Sequence, residues 1–144
     1  MLDKERILSK IAELRSYLEE LKKVTPKSFE EYEKLELNRR ACERLLQISI
    51  ECVLDVCDVI FSGLKLGVPA SEEDIIEKLN RAGVNTDETT NKLKGMKQMR
   101  NVLVHRYPYV DDEKIYRSLT TEIRDFNVFI DKILNFLKKK EKHH

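Results

Sequence analysis

Between Pro26 and Gly63 the chain carries no glycine or proline, and that gap constrains the fold more than any other feature. Within it, Gln47, Glu51, Asp55, Asp58 and Ser62 recur at spacings of four, four, three and four. A polar stripe with that period belongs to a helix whose other sides are buried, although the Ile and Val content of residues 45–61 alone would suit a strand. One long helix is therefore predicted from Phe29 to about Leu64, opened by a capping box of Ser28 with Glu31.

The segments on either side follow the same period. Ile7, Ile11, Leu14, Leu18 and Leu21 form one apolar stripe between Asp3 and Val24, and Thr25-Pro26-Lys27 breaks that helix. Gly63, Gly67 and Pro69 mark a loop. Ser71 with Asp74 then caps a short helix from Glu72 to Ala82, which Gly83 stops. A fourth helix is predicted from Asp87 to Val104, ahead of Pro108, with Tyr107 pushed toward extended backbone. The last opens at Asp111-Asp112-Glu113 and carries Ile115, Leu119, Ile123, Phe126, Ile130, Ile133, Leu134 and Leu137.

The expectation is an all-α, up-and-down bundle of four long helices and one short one. A length of 144 residues, with 37% charged residues and 7% aromatics, fits a single helical domain over 1–138 and disfavours a sandwich or barrel. Residues 139–144 read as a charged tail, partly tag-like, so His143 and His144 are set aside. The 27 basic and 26 acidic side chains nearly cancel, and nothing global draws the chain to nucleic acid or an anionic membrane.

No apolar run is long enough to span a bilayer and no signal peptide is evident, which places the protein in the cytoplasm. Cys42, Cys52 and Cys57 are odd in number, lack Cys-x-x-Cys spacing and have no histidine nearby. They read as small buried hydrophobes rather than a disulfide or zinc set. The acidic stripe on the long helix suggests either a carboxylate for an arginine or, more simply, a solvated edge. No metal and no cofactor are expected.

One local window stands out. Lys92, Lys94, Lys97, Arg100 and Arg106 are five cations with no acid among residues 92–106, and they surround His105, the one histidine outside the last two positions. A solvated basic helix face explains such a window equally well. The alternative is chemical: a proton carrier beside a fixed cation is what RNA cleavage by the 2′-hydroxyl needs, since the substrate brings its own nucleophile. Arg100 shares a helix face with Leu93 and Val104, so its charge must meet an anion or a carboxylate. In an unbroken helix, however, His105 lies about 140° away from it. Either the last turn unwinds toward Pro108, or a second subunit supplies the missing group.

The run Arg100-Asn101-Val102-Leu103-Val104-His105-Arg106-Tyr107 resembles the Arg-x4-His-x-Tyr motif of the HEPN superfamily, specifically its HepT-like ribonuclease toxins paired with minimal nucleotidyltransferase antitoxins. The likeness extends to residues 45–55 on the long helix, to Gly67-Val68-Pro69, and to residues 110–116 after the motif. It implies a metal-independent endoribonuclease acting as a homodimer, with motif residues of two subunits lining one cleft. Arg100 would bind the scissile phosphate, His105 would move protons, Asn101 would orient the site, and Lys97 and Arg106 would hold RNA phosphates. Tyr107 would be where the antitoxin attaches AMP, silencing the toxin. The rival reading is a helical dimer without catalysis that docks a nucleotidyltransferase or nucleotide. Tyr109 and Tyr116 carry no more than ordinary packing roles.

Overall fold

The computed structural model describes residues 1–105 and 111–142. Among these there are seven helices and no strand: α1 (Lys4–Val24), α2 (Phe29–Lys34), α3 (Glu36–Gly63), α4 (Glu72–Arg81), α5 (Asp87–His105), α6 (Asp112–Thr120) and α7 (Arg124–Lys142). The caps read from the sequence, Ser28 and Ser71, fall where they were expected. Asp3, Ser28, Ser71 and Asp111 each accept a backbone N–H from the first turn that follows. Gly83 closes α4 at φ +81°: its N–H bonds Asn80 O, and Val84 N–H bonds Leu79 O. That paired arrangement is a Schellman cap, and its positive φ is what a glycine accommodates.

Four helices are long, as expected, but two expected helices are each divided. The first break is at Leu35, with φ −99° and ψ 81° between α2 and α3. No breaker residue stands there. What decides it is packing: Tyr32 is fully buried in a ring cluster with Phe29 and with Tyr116 of α6, at centroid distances of 6.4 and 5.3 Å. Meanwhile α3 lies along α1. Two faces with different partners call for two axes. The Arg39 guanidinium, donating to Glu33 O, also fixes the bend.

The second break, at residues 121–123, divides the expected last helix into α6 and α7. Thr120 Oγ1 donates to Tyr116 O at 2.9 Å and Ser118 Oγ to Lys114 O at 3.3 Å. Side chains that bond back onto the preceding turn weaken the helical ladder. α7 itself runs on through Lys142, where Glu141 pairs with Lys4 of α1.

α3 is the axis of the molecule and packs against α1, α2, α4, α5 and α6. Its buried Leu46, Ile50, Val53, Val56 and Ile60 meet Ile7, Ile11 and Leu14 of α1 and Leu93 of α5 in one apolar cluster. Each such side chain stabilises the fold by about 1.5–3 kcal/mol on leaving water. All three cysteines are free and buried in this core. The N-terminus closes on the end of α3, where the Met1 amine donates to Gly63 O at 3.2 Å. A Cβ at Gly63 would stand 2.9 Å from Leu2 Cδ2, so the close approach depends on glycine.

Candidate functional site

α5 carries every described member of the basic window, and its environment differs sharply around its circumference. Leu93, Met99 and Leu103 face the core. Arg100 lies at the edge of that buried face, with its side chain 16% exposed. Its Nε donates to Asn101 Oδ1 at 2.9 Å, and its Nη2 donates to Glu72 Oε1 at the start of α4. The carboxylate that the sequence required for Arg100 is thus Glu72.

The α3 stripe does not supply that carboxylate. Asp55 pairs with Lys10 of α1 at 3.3 Å, and Glu51 accepts from Gln47 at 3.1 Å. Burial pushes the Asp58 carboxyl above its usual range, with Asp55 and Glu72 adding to the rise. This strip is a partly wetted edge shared with α1. Among the described residues no group of three or more His, Cys, Asp or Glu side chains is placed to hold a metal ion.

α4 neutralises more of the window than Arg100 alone. Lys94 bonds Glu77 at 2.8 Å and lies 3.8 Å from Glu73. The Lys94 hydrogen bond holds the Glu77 carboxyl below its ordinary value, and Glu77 raises Lys94 in turn. Lys92 approaches Asp125 of α7 at 3.8 Å. Lys97, half-buried, has no ion pair among the described residues. The solvated-face reading is therefore incomplete, because α4 and α7 tie down most of these cations. Nothing in the spacing of residues 72–77 could reveal that tie, since acids in a first turn already suit the helix dipole.

His105 is the last residue of α5 and is exposed. The helix stays regular through it, so the unwinding considered for the last turn does not occur before His105. Arg100 and His105 consequently keep the helical separation of about 140°, with their Cα atoms roughly 9 Å apart. A hydrogen bond joins Arg100 to Asn101, while His105 is turned about 140° from Arg100 around the helix. Arg106 and Tyr107 lie outside the described residues, as do Pro108 and Tyr109.

Two hollows lie near these elements, and one of them is lined by α5. One, of about 480 Å³, lies among α3, α5, α6 and α7 over an apolar floor that includes Ile50, Met99 and Phe126, and touches neither Arg100 nor His105. The other, of about 430 Å³, runs between the end of α3 and the start of α4 and is lined by Asp58, Ser62, Pro69 and Glu72. The second adjoins the Arg100–Glu72 pair.

The family described as ribonuclease HepT-like matches residues 14–133. The chain is 26% identical over 121 residues to the tRNA nuclease HepT of Aphanizomenon flos-aquae, covering 84% of this chain and 82% of that one. It is 30% identical over 88 residues to the mRNA nuclease HepT of Shewanella oneidensis, covering 61% of this chain and 66% of that one. A solved structure of the tri-AMPylated Shewanella oneidensis HEPN toxin in complex with its MNT antitoxin superposes with a TM-score of 0.84 at 24% identity, over 94% of this chain and 99% of that one.

Proposed function

The chain belongs to the HepT-like ribonuclease family, and from that premise we propose that it is an endoribonuclease toxin that cleaves RNA through its 2′-hydroxyl and is silenced by a nucleotidyltransferase antitoxin. The observation that carries the mechanism is the continuous α5. Its helical geometry turns Arg100 and His105 of one chain about 140° apart. A homodimer related by a two-fold axis along α5 supplies the remedy, with Arg100 of one protomer facing His105 of the other.

In that cleft Arg100 presents its guanidinium to the scissile phosphate, and Asn101 fixes it through the Nε bond. Lys97 and Arg106 bind flanking phosphates. The 2′-oxygen attacks phosphorus and gives up its proton, the bond from phosphorus to the 5′-oxygen breaks, and that oxygen takes a proton. His105 carries these protons, for which an imidazole suits neutral pH. The products are a 2′,3′-cyclic phosphate and a 5′-hydroxyl. Because substrate supplies the nucleophile, a cation and a proton carrier suffice, and the reaction proceeds without metal.

Silencing acts on Tyr107, two residues past His105. AMP groups attached to its hydroxyl place phosphodiesters beside Arg100 and Arg106 and occupy the cations that RNA needs. The tri-AMPylated state of the Shewanella toxin supports this reading.

The test uses purified protein and an RNA oligonucleotide with excess EDTA. Cleavage is expected in wild type and lost in Arg100→Ala and His105→Ala, while both variants keep their helical circular dichroism. Equal inactivity of wild type and variants would favour the binding module without catalysis. Incubation with a cognate nucleotidyltransferase and ATP should add AMP mass to the peptide holding Tyr107, and a gain elsewhere would refute that assignment.

A further inference from the structure

A guanidinium offers its donors in one rigid plane, so two bonds at different corners define its aim. Arg100 has such a pair: Nε to Asn101 and Nη2 to Glu72, with Nη1 outside both. The two anchors differ in kind. Asn101 is the next residue on α5 and turns with that helix. Glu72 reaches Arg100 from another element, 28 residues earlier in the chain.

That element is itself fixed. Ser71 Oγ accepts Asp74 N–H at 3.0 Å at the start of α4, and Glu77 bonds Lys94 of α5 at 2.8 Å. Asp74 also accepts Ala70 N–H at 3.0 Å, securing the approach to the helix. α4 therefore meets α5 through Glu72 with Arg100 and through Glu73 and Glu77 with Lys94.

We propose that Glu72 is a positioning residue for the cleavage reaction, one that sets the aim of Arg100 at the cost of some hold on RNA. The inference rests on the reading above that Arg100 binds the scissile phosphate. Position and charge act oppositely here. The bond to Nη2 fixes the guanidinium for the transition state, where misplacement is expensive. The negative charge of the same carboxylate opposes an incoming phosphate that must share the cation.

Two substitutions separate these effects. Glu72→Gln keeps a carbonyl oxygen able to accept from Nη2 and removes the charge, whereas Glu72→Ala removes both. Binding is measured with an all-2′-O-methyl RNA, which lacks the nucleophile, and turnover with the same sequence as RNA. Both variants should bind the 2′-O-methyl strand about 3- to 10-fold more tightly than wild type, with the gain shrinking as salt rises. The kcat of Glu72→Gln should stay within about 3-fold of wild type, and that of Glu72→Ala should fall about 10- to 100-fold.

A Glu72→Ala enzyme with wild-type kcat, or a Glu72→Gln enzyme as slow as Glu72→Ala, would overturn the positioning role. Unchanged affinity in both would overturn the charge effect. Arg100→Ala in the same two assays separates the premises. If it loses cleavage while every Glu72 variant matches wild type, only the role of Glu72 falls. If Arg100→Ala binds and cleaves normally, the reading of Arg100 itself falls. The thermal midpoint of Glu72→Ala, whose native side chain is 42% exposed, serves as the folding control.

Discussion

Two tyrosine hydroxyls in one ring cluster should respond to removal with opposite signs. Tyr116 and Tyr32 pack as tilted rings with centroids 5.3 Å apart. Tyr116 donates its hydroxyl to Pro26 O at 2.7 Å, tying α6 to the turn between α1 and α2. Tyr32 is 0% exposed, and its hydroxyl oxygen has no hydrogen-bond partner among the described residues. Tyr116→Phe keeps the ring and loses one bond, a net loss of about 1 kcal/mol. The half-buried Pro26 carbonyl can still turn to water. Tyr32→Phe removes a buried, unsatisfied hydroxyl and should raise stability by about 1 kcal/mol, since such a group costs roughly 1–3 kcal/mol. For a domain of this size each change moves Tm by about 3 °C, downward for Tyr116→Phe and upward for Tyr32→Phe. Urea unfolding at fixed protein concentration should show shifted midpoints with one common slope. A Tyr32→Phe loss as large as that of Tyr116→Phe would refute the argument, because it would require a bonding partner for the Tyr32 hydroxyl.

Other outcomes follow from the charged and buried groups. Glu77 is held below its ordinary 4.5 by the Lys94 hydrogen bond, and Asp74 below its ordinary 3.8 by Ala70 N–H and Lys78. Depressed carboxylates stabilise the fold above their ordinary values and lose that contribution as pH falls through the depressed ones. Hydrogen exchange of residues 72–81 should therefore lose protection relative to α1 as pH drops below about 4.5, and parallel behaviour of the two helices would count against the α4–α5 tie. Burial lifts the Cys52 thiol to about 11 and raises Cys42 and Cys57 as well. Native protein at pH 8 should resist dithionitrobenzoate and show three thiols only after denaturation, whereas a fast native thiol would contradict the packing of α3. Co-expression of Arg100→Ala with His105→Ala should restore about a quarter of wild-type cleavage, because half of random dimers are mixed and each mixed dimer retains one cross-protomer pair. Isolated mixed dimers as inactive as their parents would exclude a site built from one Arg100 and the other protomer's His105.

Much of the candidate site was legible because it lies on consecutive turns of one helix. The described part of the window, residues 92–105, lies on α5, and the helical period alone showed that Arg100 needs a counter-ion and that His105 lies at a different angle. The identity of the counter-ion was not legible. Glu72, Glu73 and Asp74 together look like any acidic first turn, and choosing Glu72 required knowing how α4 lies on α5. The α3 stripe was legible as an edge, the simpler of its two readings, although the pairing of Asp55 with Lys10 of α1 there was not.

Local chemistry therefore determined what local chemistry controls: helical class, the caps at Ser28 and Ser71, the Gly83 stop, and the apolar faces of α1 and α3. Tertiary structure decided where helices divide and which charges meet. At Leu35 no residue has a strong intrinsic reason to leave the helix, yet Tyr32 packs on Tyr116 while α3 follows α1, and burying both faces outweighs one broken turn. The ion pairs of α4 are likewise set by the approach of two helices, a distance that no spacing along a single chain encodes.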